Sequence, residues 1–129
     1  MSLTKQEVDN ERERLKAAVG DVSGIDVFHS NVLIAIYTRP SRTKSGIHLP
    51  DSVQEEDGYQ SKVGLVLAKG PLAFVDDRST TFGGATIDVG DWVAIRINDG
   101  LSMKINGTAC RIVTDTFIRM RVSDPTLVW

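Results

Sequence analysis

Cysteine is nearly missing from this chain. Cys110 is the one cysteine in 129 residues, which excludes an intrachain disulfide and fits a reducing compartment. Histidine is scarce too, with only His29 and His48, and no Cys, His and acid combination has the spacing of a zinc site. No glycine loop of the phosphate-binding kind precedes a helix. The acidic runs Glu55-Glu56-Asp57 and Asp76-Asp77 lack the alternation of a calcium loop and read as solvated loop charges. His29, beside Phe28, reads as a structural strand residue, and Cys110 as a small strand residue. Nothing is left to assemble a catalytic site, so the reading is a non-enzyme without cofactor or metal.

An excess of one charge is also missing. The net charge of -2 offers no electrostatic argument for nucleic acid or for an anionic membrane. Aromatic residues make up 6%, too few for a protein that stacks single-stranded bases. No apolar run approaches the ~20 residues of a membrane span, and the first residues lack a signal-peptide pattern. A cytoplasmic location is the expectation. Met1-Ser2-Leu3 reads equally as native or as a vector leader. The hydrophobic fraction of 41% and charged fraction of 25% are those of an ordinary globular domain, one with a modest core at this length.

What the chain does have is one helix pattern followed by strands. Thr4 and Glu7 have capping-box spacing, Leu3 and Val8 that of a hydrophobic staple, and Gly20 supplies a stop, predicting a helix over 4–19. Its apolar stripe is thin: Val8, Leu15, Ala18 and Val19, interrupted by Arg12. Such a helix reads as an appendage docked on a partner or on the domain surface rather than as a core element. Six strand patterns follow, at 27–38, 61–69, 91–97, 101–105, 108–113 and 116–122. Val32, Ile34 and Ile36 fall on one face of the first, Val63, Leu65 and Leu67 on one face of the second, and Ile118, Met120 and Val122 on one face of the last. Asn98-Asp99-Gly100 and Asn106-Gly107 are hairpin signals, because these residues tolerate positive φ. The fold class expected is all-β: a small antiparallel β-barrel with an extra N-terminal helix.

Two connections are too long for hairpin turns, 39–60 and 70–90, and long loops on a small domain are usually functional. The second holds Gly83-Gly84, the centre of a possible smaller hairpin. The first contains TKSGIHLPDS, residues 43–52, which puts Ile47 and Leu49 into an otherwise polar run. Exposing such side chains forfeits roughly 1.5–3 kcal/mol each. Two explanations are open: the pair anchors in a partner's hydrophobic groove, or it folds back on the domain as a lid.

Five pieces in order resemble the co-chaperonin family of the chaperonin-10, or GroES, type. VFHSNVLIAI is similar to the family's first strand, TKSGIHLPDS to its mobile loop, KVGLVLAKGP to the next strand and its glycine turn. VGDWVAIRINDG is similar to its Val-Gly-Asp-x-Val strand and TDTFIRMRV to its closing strand. The resemblance implies a ring, heptameric in the family, that caps an ATP-driven chaperonin and assists protein folding. It implies that Ile47, His48 and Leu49 form the aliphatic tripeptide docking into the chaperonin apical domains, with Gly46 permitting the turn before it and Pro50 restricting the chain after it. It also makes 70–90 the roof-like segment and pairs the first and last strands between neighbouring subunits. The domain layout is then a helical extension over 1–24, a GroES-like barrel over 25–122 and a tail over 123–129.

The helix, the tail with Leu127-Val128-Trp129, and His48 in an otherwise apolar tripeptide depart from the family pattern. They keep a second reading open. In it the chain is a virion structural protein, a phage capsid decoration or cement protein, that reuses the GroES-like barrel and docks exposed apolar arms on capsid subunits.

Overall fold

The computed structural model describes residues 3–38, 62–96 and 98–127. Helix α1 spans Lys5–Val19. Six strands follow: β1 Asn31–Ile36, β2 Val63–Lys69, β3 Trp92–Ala94, β4 Leu101–Ile105, β5 Thr108–Thr114 and β6 Met120–Val122, with a 3-10 turn at Asp115–Phe117 between the last two. All pairings are antiparallel, and the strands form one sheet in the order β4-β5-β1-β2-β3-β6. The architecture is the expected one, a small antiparallel β fold with one N-terminal helix.

β1 explains the layout. Its residues are apolar without a break from Val32 to Tyr37, the signature of a strand buried on both faces rather than half-solvated. Alternation then sends them to two cores. Leu33, Ala35 and Tyr37 join Val63, Leu65, Trp92 and Cys110 on one face. Val32, Ile34 and Ile36 join Val66, Val93, Ile95 and Val113 on the other. Helix α1 covers the first face through Val8, Leu15 and Val19. The second is closed by Ala73, Phe74 and Ile87 from the β2–β3 connection and by Ile118.

The capping box of α1 is formed in full: the Thr4 hydroxyl accepts from the Glu7 amide at 3.2 Å, and the Glu7 carboxylate accepts from the Thr4 amide at 3.1 Å. Leu3 packs into the same cluster as Val8, as a staple requires. Yet the helix is not a loose appendage. Leu15 and Val19 are fully buried, and the thin stripe suffices because it meets Trp92 and Leu65. Arg12 does not break the stripe either; its Nε reaches over to donate to the Gly90 carbonyl at 2.8 Å. Two further bonds fix the helix ends. Asn106 Nδ2 donates to the Val19 carbonyl, and the Leu3 amide donates to the Asp124 carboxylate. The helix is thus a strap, tied to the β4–β5 turn at one end and to the chain beyond β6 at the other.

That β4–β5 turn is the two-residue loop expected. Asn106 and Gly107 sit at φ 51° and 79°, the left-handed pair that matches strand twist in a tight hairpin. Three strand expectations need correction. His29 is not a strand residue: it lies in the exposed turn before β1 at φ 59°. Its carbonyl accepts from the Leu72 amide at 3.0 Å, and a Cβ on Gly70 would stand 2.2 Å from that carbonyl, which is why glycine sits there. Nor do Ile118, Met120 and Val122 share a face. Ile118 precedes β6, which begins only at Met120, and packs on one core, whereas Val122 packs on the other and Met120 is exposed. Around Gly83-Gly84 there is a tight turn, with both residues at positive φ, but no strand pairs across it.

Candidate functional site

β1 and β2 run antiparallel, so the two long connections leave from opposite ends of the pair. At one end the backbone closes the root of the β1–β2 connection: the Tyr37 amide donates to the Val63 carbonyl at 2.8 Å, and Ile95 donates to the Lys62 carbonyl at 2.8 Å. Thr38 and Lys62 therefore stand together where the segment departs and returns. Tyr37 is buried edge-on against Trp92, with ring centres 5.6 Å apart and planes at 88°. Arg14 of α1 reaches this root. Its Nη2 donates to the Thr38 carbonyl at 2.6 Å and to Glu11 at 2.7 Å, and its guanidinium lies 5.9 Å from the centre of the Tyr37 ring.

At the other end, 70–90 is a compact loop rather than a ladder. Asp115, buried just after β5, organises it. Its carboxylate accepts from the Phe74 amide at 2.9 Å while its own amide donates to Ser30. Phe74, held at φ 62°, packs edge-on against Phe82 at 5.5 Å. The acidic pair beside it is exposed in the loop, as expected, and also makes its turns. Asp77 accepts from Ser79 and Thr80, and those bonds hold its carboxyl below the usual range; Asp76 accepts from the Phe82 amide. An open cleft of ≈ 660 Å³ runs between this loop and β6.

A second polar knot holds the β3–β4 turn. Asp99 is buried and salt-bridged to Arg96 at 3.1 Å, and that hydrogen bond outweighs burial and keeps its carboxyl low. Arg111 donates to the Asp99 carbonyl from below. Sequence reading missed Asp99, Arg111, Asp115 and Arg14, since a charged residue carries no periodic signal for a partner distant in the chain. Among the described residues no group of three or more His, Cys, Asp or Glu could hold a metal ion. Cys110 is buried in β5. No helix among the described residues is long and apolar enough to cross a membrane.

The predicted docking residues Gly46, Ile47, His48, Leu49 and Pro50 lie outside the described residues, as do Glu55-Glu56-Asp57, Val128 and Trp129. What the structure supplies is their point of attachment, the Thr38–Lys62 root. The family model of the chaperonin 10 kDa subunit matches residues 24–119, about three quarters of the chain. The chain belongs to the chaperonin 10 kDa subunit family. No curated protein matches the sequence. The co-chaperonin match begins after α1 and ends inside the final strand pattern, so both partners of the Leu3–Asp124 tie lie outside it. Family membership carries a co-chaperonin-like function, with ring assembly and a chaperonin as partner, in a class that does no covalent chemistry.

Proposed function

We propose that this co-chaperonin docks Ile47-His48-Leu49 into a hydrophobic groove on the apical domains of a chaperonin, with Gly46 and Pro50 flanking the tripeptide. The observation that carries the reading is that the family match over 24–119 runs through TKSGIHLPDS, the one place where the sequence puts two aliphatics into a polar run. The root geometry supports it. Exit and return at neighbouring residues project a docking segment from one end of the sheet, opposite the compact 70–90 loop that corresponds to the roof. Ordering residues on docking costs roughly 1–2 kcal/mol each, so single contacts are weak. A ring of such contacts binds tightly and still releases, through effective concentration.

The test is capture of the purified protein by a chaperonin double ring with and without ATP. Ile47→Asp and Leu49→Asp are expected to abolish nucleotide-dependent capture, more than about 100-fold, while leaving the circular dichroism and melting of the domain unchanged; each places a charge in an apolar groove. Wild-type protein that is never captured would overturn the reading.

The virion reading leaned on α1 as a free apolar arm. The apolar stripe of α1 instead faces this chain's own core, which leaves that reading only the Leu127-Val128-Trp129 tail as an arm.

A further inference from the structure

We propose that α1 is the positioning element of the docking segment and that Arg14 is the residue through which it acts. The inference rests on the docking reading above and adds a part that the family match does not contain, since α1 precedes residue 24. The helix is immobilised at four places: Leu15 and Val19 in the core, Arg12 on Gly90, Asn106 on Val19, and Leu3 on Asp124. A side chain projecting from it is therefore a fixed point. Arg14 projects onto Thr38, the last described residue before the segment.

The guanidinium is itself held ready. Glu11, one turn earlier, accepts from both Nε and Nη2 at 2.9 and 2.7 Å, which sets the plane of the fork. The Tyr37 ring beneath it adds a cation–π contact. A charged donor on a backbone carbonyl is among the stronger hydrogen bonds available. Its effect on Thr38 is to limit the directions in which the chain leaves the sheet, and so the ordering that docking must supply. For the global fold the same pair matters little, because Arg14 is about one third exposed and the packing of α1 resides in Leu15 and Val19. Position, rather than stability, is where its loss should register.

The experiment compares wild type, Arg14→Ala, Arg14→Lys and Lys16→Ala. Lys16 pairs with Glu13 on the solvent side of the same helix and serves as the control. Two quantities are read: amide exchange at Tyr37, whose bond to Val63 closes the root, and the concentration for half-maximal capture by a chaperonin double ring with ATP. Arg14→Ala is expected to speed Tyr37 exchange about tenfold and to raise the capture midpoint about 3- to 10-fold, with the melting temperature within about 2 °C of wild type. Arg14→Lys, which keeps one donor, should recover part of both, and Lys16→Ala should change neither. Unchanged exchange and capture in Arg14→Ala overturn the inference. So does a loss of capture that tracks a fall in melting temperature and that lysine does not rescue. Failure of wild type to be captured is a different outcome, visible before any Arg14 variant is made, and overturns the docking reading together with the role built on it.

Discussion

Cys110 shows how much a single residue's surroundings decide. It sits in β5 at 1% exposure, and burial pushes its thiol up to about 11, with a backbone hydrogen bond from Ile105 offsetting a little of the rise. The unfolded chain would ionise near 9.0. Between those values the unfolded state has released a proton that the folded state keeps, so stability is level below pH 9 and falls as pH rises toward 11. Two pKa units correspond to about 2.7 kcal/mol at the upper end. Denaturant midpoints measured across that window should drop in wild type and drop less in Cys110→Ala; parallel curves would disprove it. Asp124 works in the opposite direction. Burial opposes its charge, but bonds from Thr126 and from the Leu3 amide overcome that and hold its carboxyl low. A carboxylate with a lowered folded pKa stabilises above its unfolded value and stops doing so in acid, so the tie between α1 and the end of β6 is a feature of neutral pH. Trp92 Nε1 is buried without an acceptor among the described residues, a loss of roughly 1–3 kcal/mol that the packing of its ring against Tyr37 and Leu65 outweighs.

At the scale of elements, α1 and the 70–90 loop perform the same task on opposite faces. A sheet whose central strand is apolar on both sides needs two covers. The helix supplies one with three buried side chains, and truncating the middle of that set should be costly. Leu15→Ala is expected to lower stability by about 2–5 kcal/mol, read as a shift in urea midpoint at constant slope. A change under about 0.5 kcal/mol would mean that the helix is the loose appendage its composition suggests. The capping box, the staple and the Asn106-Gly107 turn were all legible in the residues, because each depends on neighbours within five positions. The 3-10 turn at Asp115–Phe117 was not, because the strand pattern expected over 116–122 overlaps it. The turn is anchored instead by the long-range bonds of Asp115 to Ser30 and Phe74.

For the whole molecule, the strand order decides which edges are free. β1 is flanked by β5 and β2, so its residues have no unpaired ladder to offer a neighbour; β4 and β6 are the outer strands. The expectation that first and last strands join subunits therefore keeps its last strand and loses residues 31–36 of its first. Phe28, just before β1, is 65% exposed, and Met120 on β6 is 46% exposed. Apolar groups on an open edge are what subunit pairing covers. Sedimentation should give a mass several times the 14.1 kDa of one chain, and Met120→Glu should shift it toward the monomer while the domain stays folded. A wild-type protein that sediments as a single chain at micromolar concentration would contradict ring assembly through this edge.

The residues by themselves determined most of the strands, the Asn106-Gly107 turn, the helix cap and the family resemblance. All of these rest on local periodicity, on local hydrogen bonding or on short motifs in order. The tertiary structure alone decided that the helix belongs to the core, that Asp99 and Asp115 are buried organisers, and that Arg14 bonds the Thr38 carbonyl. The bonds that hold α1 and Arg14 join residues 24 to 121 positions apart in the chain. The pairing of a polar group with a distant carbonyl or carboxylate leaves no period in the sequence; it becomes visible only when burial forces each polar atom to find its partner.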